Sequence, residues 1–222
     1  MNKIITTADG SNTLFNETIG EHYHSTHGAL QESKHVFIDA GLKHAFEQFP
    51  GQEISILEVG FGTGLNFLLT LSECKANDIK LNYIGVEAFP ITKDELSQTG
   101  YEKYVPAEIW TTLVDNYEAA LTGQVDLFDD QKLFILKSKL QELKPTASSQ
   151  LLYYDAFSVR HKEEMWTDEV IAHAASFLVP GGIFVTYAIT GKLKRALKSL
   201  GFTIQKLPGA AGKREMLRAI KG

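Results

Sequence analysis

The sequence predicts an α/β chain: a mostly parallel sheet wound with helices, preceded by an N-terminal extension and closed by an antiparallel hairpin. Three observations carry that reading. Short apolar runs at 54–59, 81–86, 132–136, 150–157 and 183–187 alternate with helical periodicities, the pattern that gives a parallel sheet. The first run passes through Gly60, Gly62 and Gly64 straight into an apolar helix. After the last helix, 202–204 and 215–220 read as a reversed terminal pair, with Gly201 capping the helix before them.

Residues 1–50 are expected to form an extension or lid, and 51–222 one compact unit. The 222 residues are enough for one well-buried domain and few for two. Within the extension, Glu21 to Ser33 gathers aromatics, histidines and acids, and helical spacing resumes at Val36, Ala40, Leu42, Ala45 and Phe46 before Pro50-Gly51. His22, His24 and His27 have no second ligand cluster, so no metal is expected there. Helices are expected from Leu65 to about Lys75, within 92–123 (which holds Trp110 and Tyr117), over 165–179 and over 192–200. Pro180-Gly181-Gly182 is read as the turn into the fifth strand.

An apolar content of 44% with 22% charged residues is that of an ordinary globule. No apolar run approaches a membrane span and no signal core follows Met1, so a cytoplasmic location without membrane contact is expected. Cys74, the sole cysteine, excludes an internal disulfide and reads as a packed thiol.

Glycine loops of this kind suit two ligand classes, and the neighbouring acids separate them. A dinucleotide fingerprint wants a third, helix-packing glycine, where this chain has Asn66. Glu58, two residues before Gly60, would repel a pyrophosphate but suits a cation. S-adenosylmethionine carries an amino group and a sulfonium, so the loop favours it over a nicotinamide cofactor. Glu87, closing the second strand, can accept both ribose hydroxyls in either class.

Charge is unevenly spread. The net is −5, yet residues 191–222 hold nine Lys/Arg against Glu215 alone. Such a basic tail is compatible with a polyanionic partner and equally with a solvated helix face.

The motifs ILEVGFGTG and LVPGGIFVTY, with the acid ending strand two, resemble the core of a class I, Rossmann-like S-adenosylmethionine-dependent methyltransferase. More narrowly, GALQESKHVFIDAGL, EVGFGTGLNFLLTL, DAFSVRHKEEMWTDEV, GGIFVTYAITGKLKRALKSLGF and GKREML are similar to the methyltransferase half of the bacterial MnmC tRNA-modification enzymes. The resemblance runs from about Tyr23 to Leu217. It implies methyl transfer from S-adenosylmethionine to the exocyclic amine of 5-aminomethyl-2-thiouridine at the tRNA wobble position. It also implies an FAD-dependent oxidoreductase function elsewhere, for which 222 residues leave no room; the chain is therefore expected to be the stand-alone form, with a separate oxidoreductase as a possible partner. Its oligomeric state is not fixed by the sequence. Two departures are visible: Lys137-Ser138-Lys139 stands where the family has Gly-Asp near the adenine amino group, and Val159 replaces the proline of D-x-F-x-P.

The implied cofactor set is Glu32, Glu58, Gly60, Phe61, Gly62, Gly64, Asn66, Glu87, Ser138 and Asp155. An alkylamine has a pKa near 10, so about one molecule in a thousand is neutral at pH 7, and the site must help remove a proton. Asp155, at the end of the fourth strand, is the candidate for that work, with Phe157 and Tyr187 bordering the base ring; both aromatics also suit plain packing, and Trp166 reads as core. Lys192, Lys194, Arg195, Lys213 and Arg214 are the candidates for tRNA phosphates. A methyltransferase acting on a small amine or protein, and a non-catalytic subunit binding the cofactor, remain alternative readings.

Overall fold

The computed structural model describes residues 2–210 and 212–222. Its centre is an eight-stranded sheet in the order β10-β11-β9-β8-β4-β5-β7-β6. Five strands are parallel: β4 (Ile54–Val59), β5 (Leu81–Val86), β7 (Gln131–Leu136), β8 (Ser149–Tyr154) and β9 (Leu178–Thr186). The edges are antiparallel, with β6 (Val125–Phe128) on β7, and β10 (Phe202–Pro208) and β11 (Glu215–Lys221) as the terminal hairpin on β9. From β4 the chain winds outward through β5 and β7, then returns to place β8 on the other flank. The strand order therefore reverses between β4 and β8, where open α/β sheets bind ligands beyond their carboxyl ends.

Period-two alternation sends the side chains of each central strand into two cores. Ile54, Ile56, Tyr83, Ile135 and Tyr153 face one core with α3 (Leu65–Ala76) and α5 (Ala107–Ala120); Leu57, Val59, Val86, Tyr154 and Phe184 face the other with α6 (Asp168–Ala175) and α7 (Gly191–Ser199). Each fully buried Leu, Ile or Phe contributes roughly 1.5–3 kcal/mol of transfer free energy. Cys74 is buried in the first core, and burial pushes its thiol up to about 12.

The N-terminal region builds a small sheet of its own, β1 (Asn2–Thr6), β2 (Asn12–Asn16) and β3 (Glu21–His22), in simple antiparallel order. A helical stretch follows from α1 (Ala29–Ser33) through nine π-helical residues, Lys34–Leu42, into α2 (Lys43–Gln48). It packs on the first core, with Phe37 5.1 Å from the Tyr153 ring. A Cβ at Gly41 would stand 3.0 Å from Val185 and 3.2 Å from Tyr153, so glycine permits this close helix–sheet approach.

Several boundaries differ from the sequence expectation. The helix expected over 165–179 is shorter, because Glu163–Trp166 forms a 3-10 turn and the Thr167 side chain caps α6 by accepting from Val170 N. Pro180-Gly181-Gly182 lies inside β9 as an irregularity opposite Ser149–Leu151 rather than before the strand. The stretch 92–123 holds α4 (Lys93–Ser97), capped reciprocally by Thr92 and Glu95, then a 3-10 turn and α5. No helix among the described residues is long and apolar enough to cross a membrane.

Candidate active site

The site begins where β4 meets β8. Val59 O accepts from Asp155 N at 2.9 Å, joining the glycine loop to the segment after β8. Gly60 has φ 89°, and a Cβ there would lie 2.5 Å from the Asp155 carbonyl oxygen; any other residue would force the two backbones apart. Phe61 turns inward over Gly85 of β5, where a Cβ would meet the ring at 2.3 Å. Gly64, at φ 74°, caps α3.

Behind the loop lies a buried polar array. Asn66 Nδ2, on the first turn of α3, donates to Glu58 Oε1 and to Asp155 Oδ2, both at 2.8 Å. Tyr83 donates to Glu58 Oε2 at 2.7 Å. Glu58 is 0% exposed, and burial followed by the nearby Asp155 charge raises its pKa well above the carboxylate range. Burial and the Glu32 charge likewise push Asp155 up to about 7, against the lowering effects of Asn66 and Lys213.

Two cavities meet at Asp155. The larger, about 410 Å³, falls in the range of about 300–1,000 Å³ common to small-molecule sites. Gly60, Phe61 and Gly62 form one wall, Glu87 and Phe89 another, and Ser138 to Glu142 a third. Glu87 is locked by two backbone donors, Gly62 N on Oε2 at 3.1 Å and Phe89 N on Oε1 at 3.0 Å, while burial raises its pKa. Phe89 is 70% exposed, its ring uncovered at the mouth.

The smaller cavity, about 270 Å³, shares Tyr23, His24, Asp155 and Phe157 with the first and adds Glu32, Tyr187 and Lys213. The Tyr23 and Phe157 rings meet edge-on at 5.2 Å. Phe157 is held by its carbonyl, which accepts from Trp166 Nε1 at 2.8 Å, and Tyr187 donates to Ala156 O at 2.9 Å. His24 links this region to the glycine loop: its Nε2 meets Thr63 Oγ1 at 2.9 Å, Thr63 meets Tyr101 at 3.0 Å, and Tyr101 donates to Asn12 O. Since Tyr101 gives its proton to a carbonyl, Thr63 gives its own to Tyr101 and His24 donates from Nε2. Burial pulls His24 down to about 4, so the imidazole is neutral at pH 7.

The expected site residues thus separate into layers. Gly60, Phe61, Gly62, Glu87, Ser138 and Asp155 line the larger cavity. Glu32 lies on the smaller one, with Asp155, Phe157 and Tyr187. Glu58 lines neither cavity: both its oxygens are taken within the core, and with Gly64 and Asn66 it sits one layer back. Lys192 and Arg195 are exposed on α7 and Arg214 on the β10–β11 turn, whereas Lys213 is paired with Glu32. Two other tail cations serve the fold, Arg218 donating to Ala40 O and Lys221 to Ala175 O and Leu178 O. Trp166 packs in the second core. Among the described residues no three His, Cys, Asp or Glu side chains group as metal ligands. Sequence reasoning missed Glu142, whose Oε2 accepts from Ser138 Oγ at 3.0 Å and Lys139 N at 3.3 Å. The signal was present as an acid three residues after Lys139, at a helical turn. It also missed Tyr23 as a wall residue.

Comparison with known proteins places this architecture. A family model described as S-adenosyl-L-methionine-dependent methyltransferase matches residues 105–222. The bifunctional protein MnmC of Pseudomonas savastanoi pv. phaseolicola, described as acting in tRNA 5-methylaminomethyl-2-thiouridine biosynthesis, is 32% identical over 206 residues. That match covers 88% of this chain but 31% of the MnmC protein, so the chain spans about a third of such relatives. The crystal structure of MnmC2 from Aquifex aeolicus superposes with a TM-score of 0.78 at 26% identity, over 99% of this chain and 70% of that one. Magnesium protoporphyrin IX methyltransferase from Synechocystis, solved with bound S-adenosylmethionine, shares the fold at TM-score 0.50 and 14% identity, over 82% of this chain and 76% of that one. With its strand order, glycine loop and acid-closed second strand, the chain belongs to the S-adenosyl-L-methionine-dependent methyltransferase family.

Proposed function

We propose that this chain methylates the exocyclic amine of 5-aminomethyl-2-thiouridine at the tRNA wobble position, giving the 5-methylaminomethyl product. The observation that carries the reading is the meeting of two cavities at a single carboxylate, Asp155. The larger cavity fits S-adenosylmethionine: Gly60 lets the loop close on its neighbour without a Cβ, and buried, raised carboxylates are the partners that a cationic ligand relieves. Glu87 would accept the ribose hydroxyls. Ser138 and Glu142 would meet the adenine edge, restoring a carboxylate near its amino group despite the missing Asp. The donor supplies an electrophilic methyl group on a sulfonium.

The chain's own residues handle the amine. Asp155, poised near neutrality, would take a proton from the ammonium and so present a neutral amine to the methyl group that bound S-adenosylmethionine would supply. Asn66 fixes the carboxylate direction from behind. Phe157 gives the base ring an apolar face, the Tyr187 ring borders the aminomethyl arm, and Tyr23 limits water between the cavities. The cations of α7 and Arg214 suit phosphates of the anticodon stem. MnmC relatives are described as bifunctional and this chain spans about a third of their length; an oxidoreductase activity outside these 222 residues is the proposed source of the free aminomethyl group.

The test is mass spectrometry of wobble nucleosides after incubation with methyl-labelled donor and tRNA carrying 5-aminomethyl-2-thiouridine. Labelled 5-methylaminomethyl-2-thiouridine is expected. Donor binding with no labelled nucleoside would leave a cofactor-binding subunit; label on free amines or protein alone would move the substrate class.

A further inference from the structure

The amine-side cavity already holds a primary amine, and it belongs to the protein. Lys213 Nζ stands 3.9 Å from the centroid of the Tyr187 ring and forms an ion pair with Glu32 Oε1. Glu32 Oε2 accepts from Ser25 N at 3.0 Å, which fixes the carboxylate in the wall. Lys213 comes from the turn joining β10 to β11, pinned by Gly209 N on Arg214 O at 3.1 Å and by Lys213 N on Ala210 O at 2.9 Å. The two partners are unlike in exposure: the Glu32 side chain is 8% exposed and that of Lys213 33%. The anion is therefore built into the cavity, and the cation enters from the solvent side.

A carboxylate beside an aromatic face is the arrangement that recognises an alkylammonium. The end of a lysine is chemically that group. A pair serving only to join the β10–β11 turn to α1 would not need a cavity that opens, through Asp155 and Phe157, onto the methyl-donor side.

We infer that Lys213 is a resident stand-in for the acceptor's ammonium, holding its site against Glu32 and Tyr187 until a primary alkylamine on a polyanionic carrier displaces it. The inference rests on the reading that an amine is methylated here. A tethered competitor lowers the apparent affinity for an incoming amine by the fraction of time it holds the site. A carrier that brings phosphate offers the displaced Lys213 and the exposed Arg214 a new partner, whereas a small free amine does not. Lys213 thus selects for amines carried on RNA.

The experiment measures binding of the nucleoside 5-aminomethyluridine, by calorimetry at pH 7, to protein saturated with S-adenosylhomocysteine. Lys213→Met removes the ammonium and keeps the stem; Lys213→Gln also leaves Glu32 a hydrogen-bond donor, should the methionine variant fold poorly. Either folded variant is expected to bind the nucleoside at least about tenfold more tightly than the unaltered chain, with donor affinity unchanged. Adding Glu32→Gln to the variant is expected to abolish that gain. Nucleoside binding that is equal or weaker without Lys213, or a gain that survives loss of Glu32, overturns the inference. No RNA enters this titration. A gain in amine affinity beside absent tRNA methylation would therefore sink the proposed substrate and spare the role of Lys213, and the reverse pattern would do the opposite.

Discussion

The two cavities that meet at Asp155 are built by different means. The donor-side cavity is made by loops at the carboxyl ends of neighbouring parallel strands, and its polar contacts come from backbone amides and from carboxylates that those amides lock. The amine-side cavity is made by side chains from opposite ends of the chain, Glu32 from α1, Tyr187 after β9 and Lys213 near the carboxyl terminus. Its central charges, Glu32 and Lys213, are paired with one another, and the backbone adds a single bond from Ser25 N to Glu32. The first is held by fixed backbone donors; the second is closed by an ion pair whose cation is a third exposed, which is what the inferred displacement by a substrate amine requires.

The comparison is broken most severely at the shared carboxylate. Asp155→Asn keeps the shape and the hydrogen bond to Asn66 but cannot take a proton, so single-turnover transfer should fall about 10²–10⁴-fold. Donor affinity, followed by calorimetry, should stay within a few-fold; a variant transferring at the normal rate would remove Asp155 from proton transfer. Gly60→Ala strikes the donor side first, through the loop that walls it. At φ 89° a side chain costs about 1–3 kcal/mol before its clash with Asp155 O is counted, so donor affinity should drop by at least about tenfold.

Charge reversal on the outer surface comes next. Lys194→Glu with Arg195→Glu should weaken tRNA binding at low salt and flatten its salt dependence, with free-nucleoside binding untouched. Unchanged tRNA affinity would show that α7 does not face the RNA.

Asn66→Ala is subtler. Asn66 donates to the Asp155 carboxylate and so favours its ionised form; without that bond the Asp155 pKa moves further above about 7. Transfer that depends on the ionised form should fall several-fold at pH 7 and recover toward pH 9. A uniform loss at every pH would mean that Asn66 only supports the fold. Tyr187→Phe should have the smallest effect, losing one hydrogen bond worth about 0.5–1.5 kcal/mol in a denaturant melt, with the ring face kept.

The same contrast explains what could be read before the fold was known. The donor side was legible because its parts are local: β4, Gly60, Gly62 and Gly64 are consecutive, and Glu87 closes the next apolar run. Glu58 lies behind the cavity wall rather than on it, since sequence spacing does not say which face of β4 it takes; here that face points to Asn66 and Tyr83. The amine side was legible only in pieces. Asp155 and Tyr187 end strands and could be placed on the rim, but nothing local brings Lys213 to Glu32, 181 residues away in the chain. Lys213 read as one more cation of a basic tail. The small N-terminal sheet escaped notice because most β1 side chains are exposed, leaving no buried alternation to mark the strand. β6 is short and only half-buried, and was missed for the same reason.

The most direct test of the account is a crystal structure of the chain with S-adenosylhomocysteine and 5-aminomethyluridine bound together. The account predicts the adenosine in the glycine-walled cavity with its ribose on Glu87, the base against Phe157, its aminomethyl arm along the Tyr187 ring, and the amine nitrogen about 2.6–3.2 Å from an Asp155 carboxylate oxygen. An amine nitrogen out of reach of Asp155, or an adenosine seated on the Glu32 side, would contradict it.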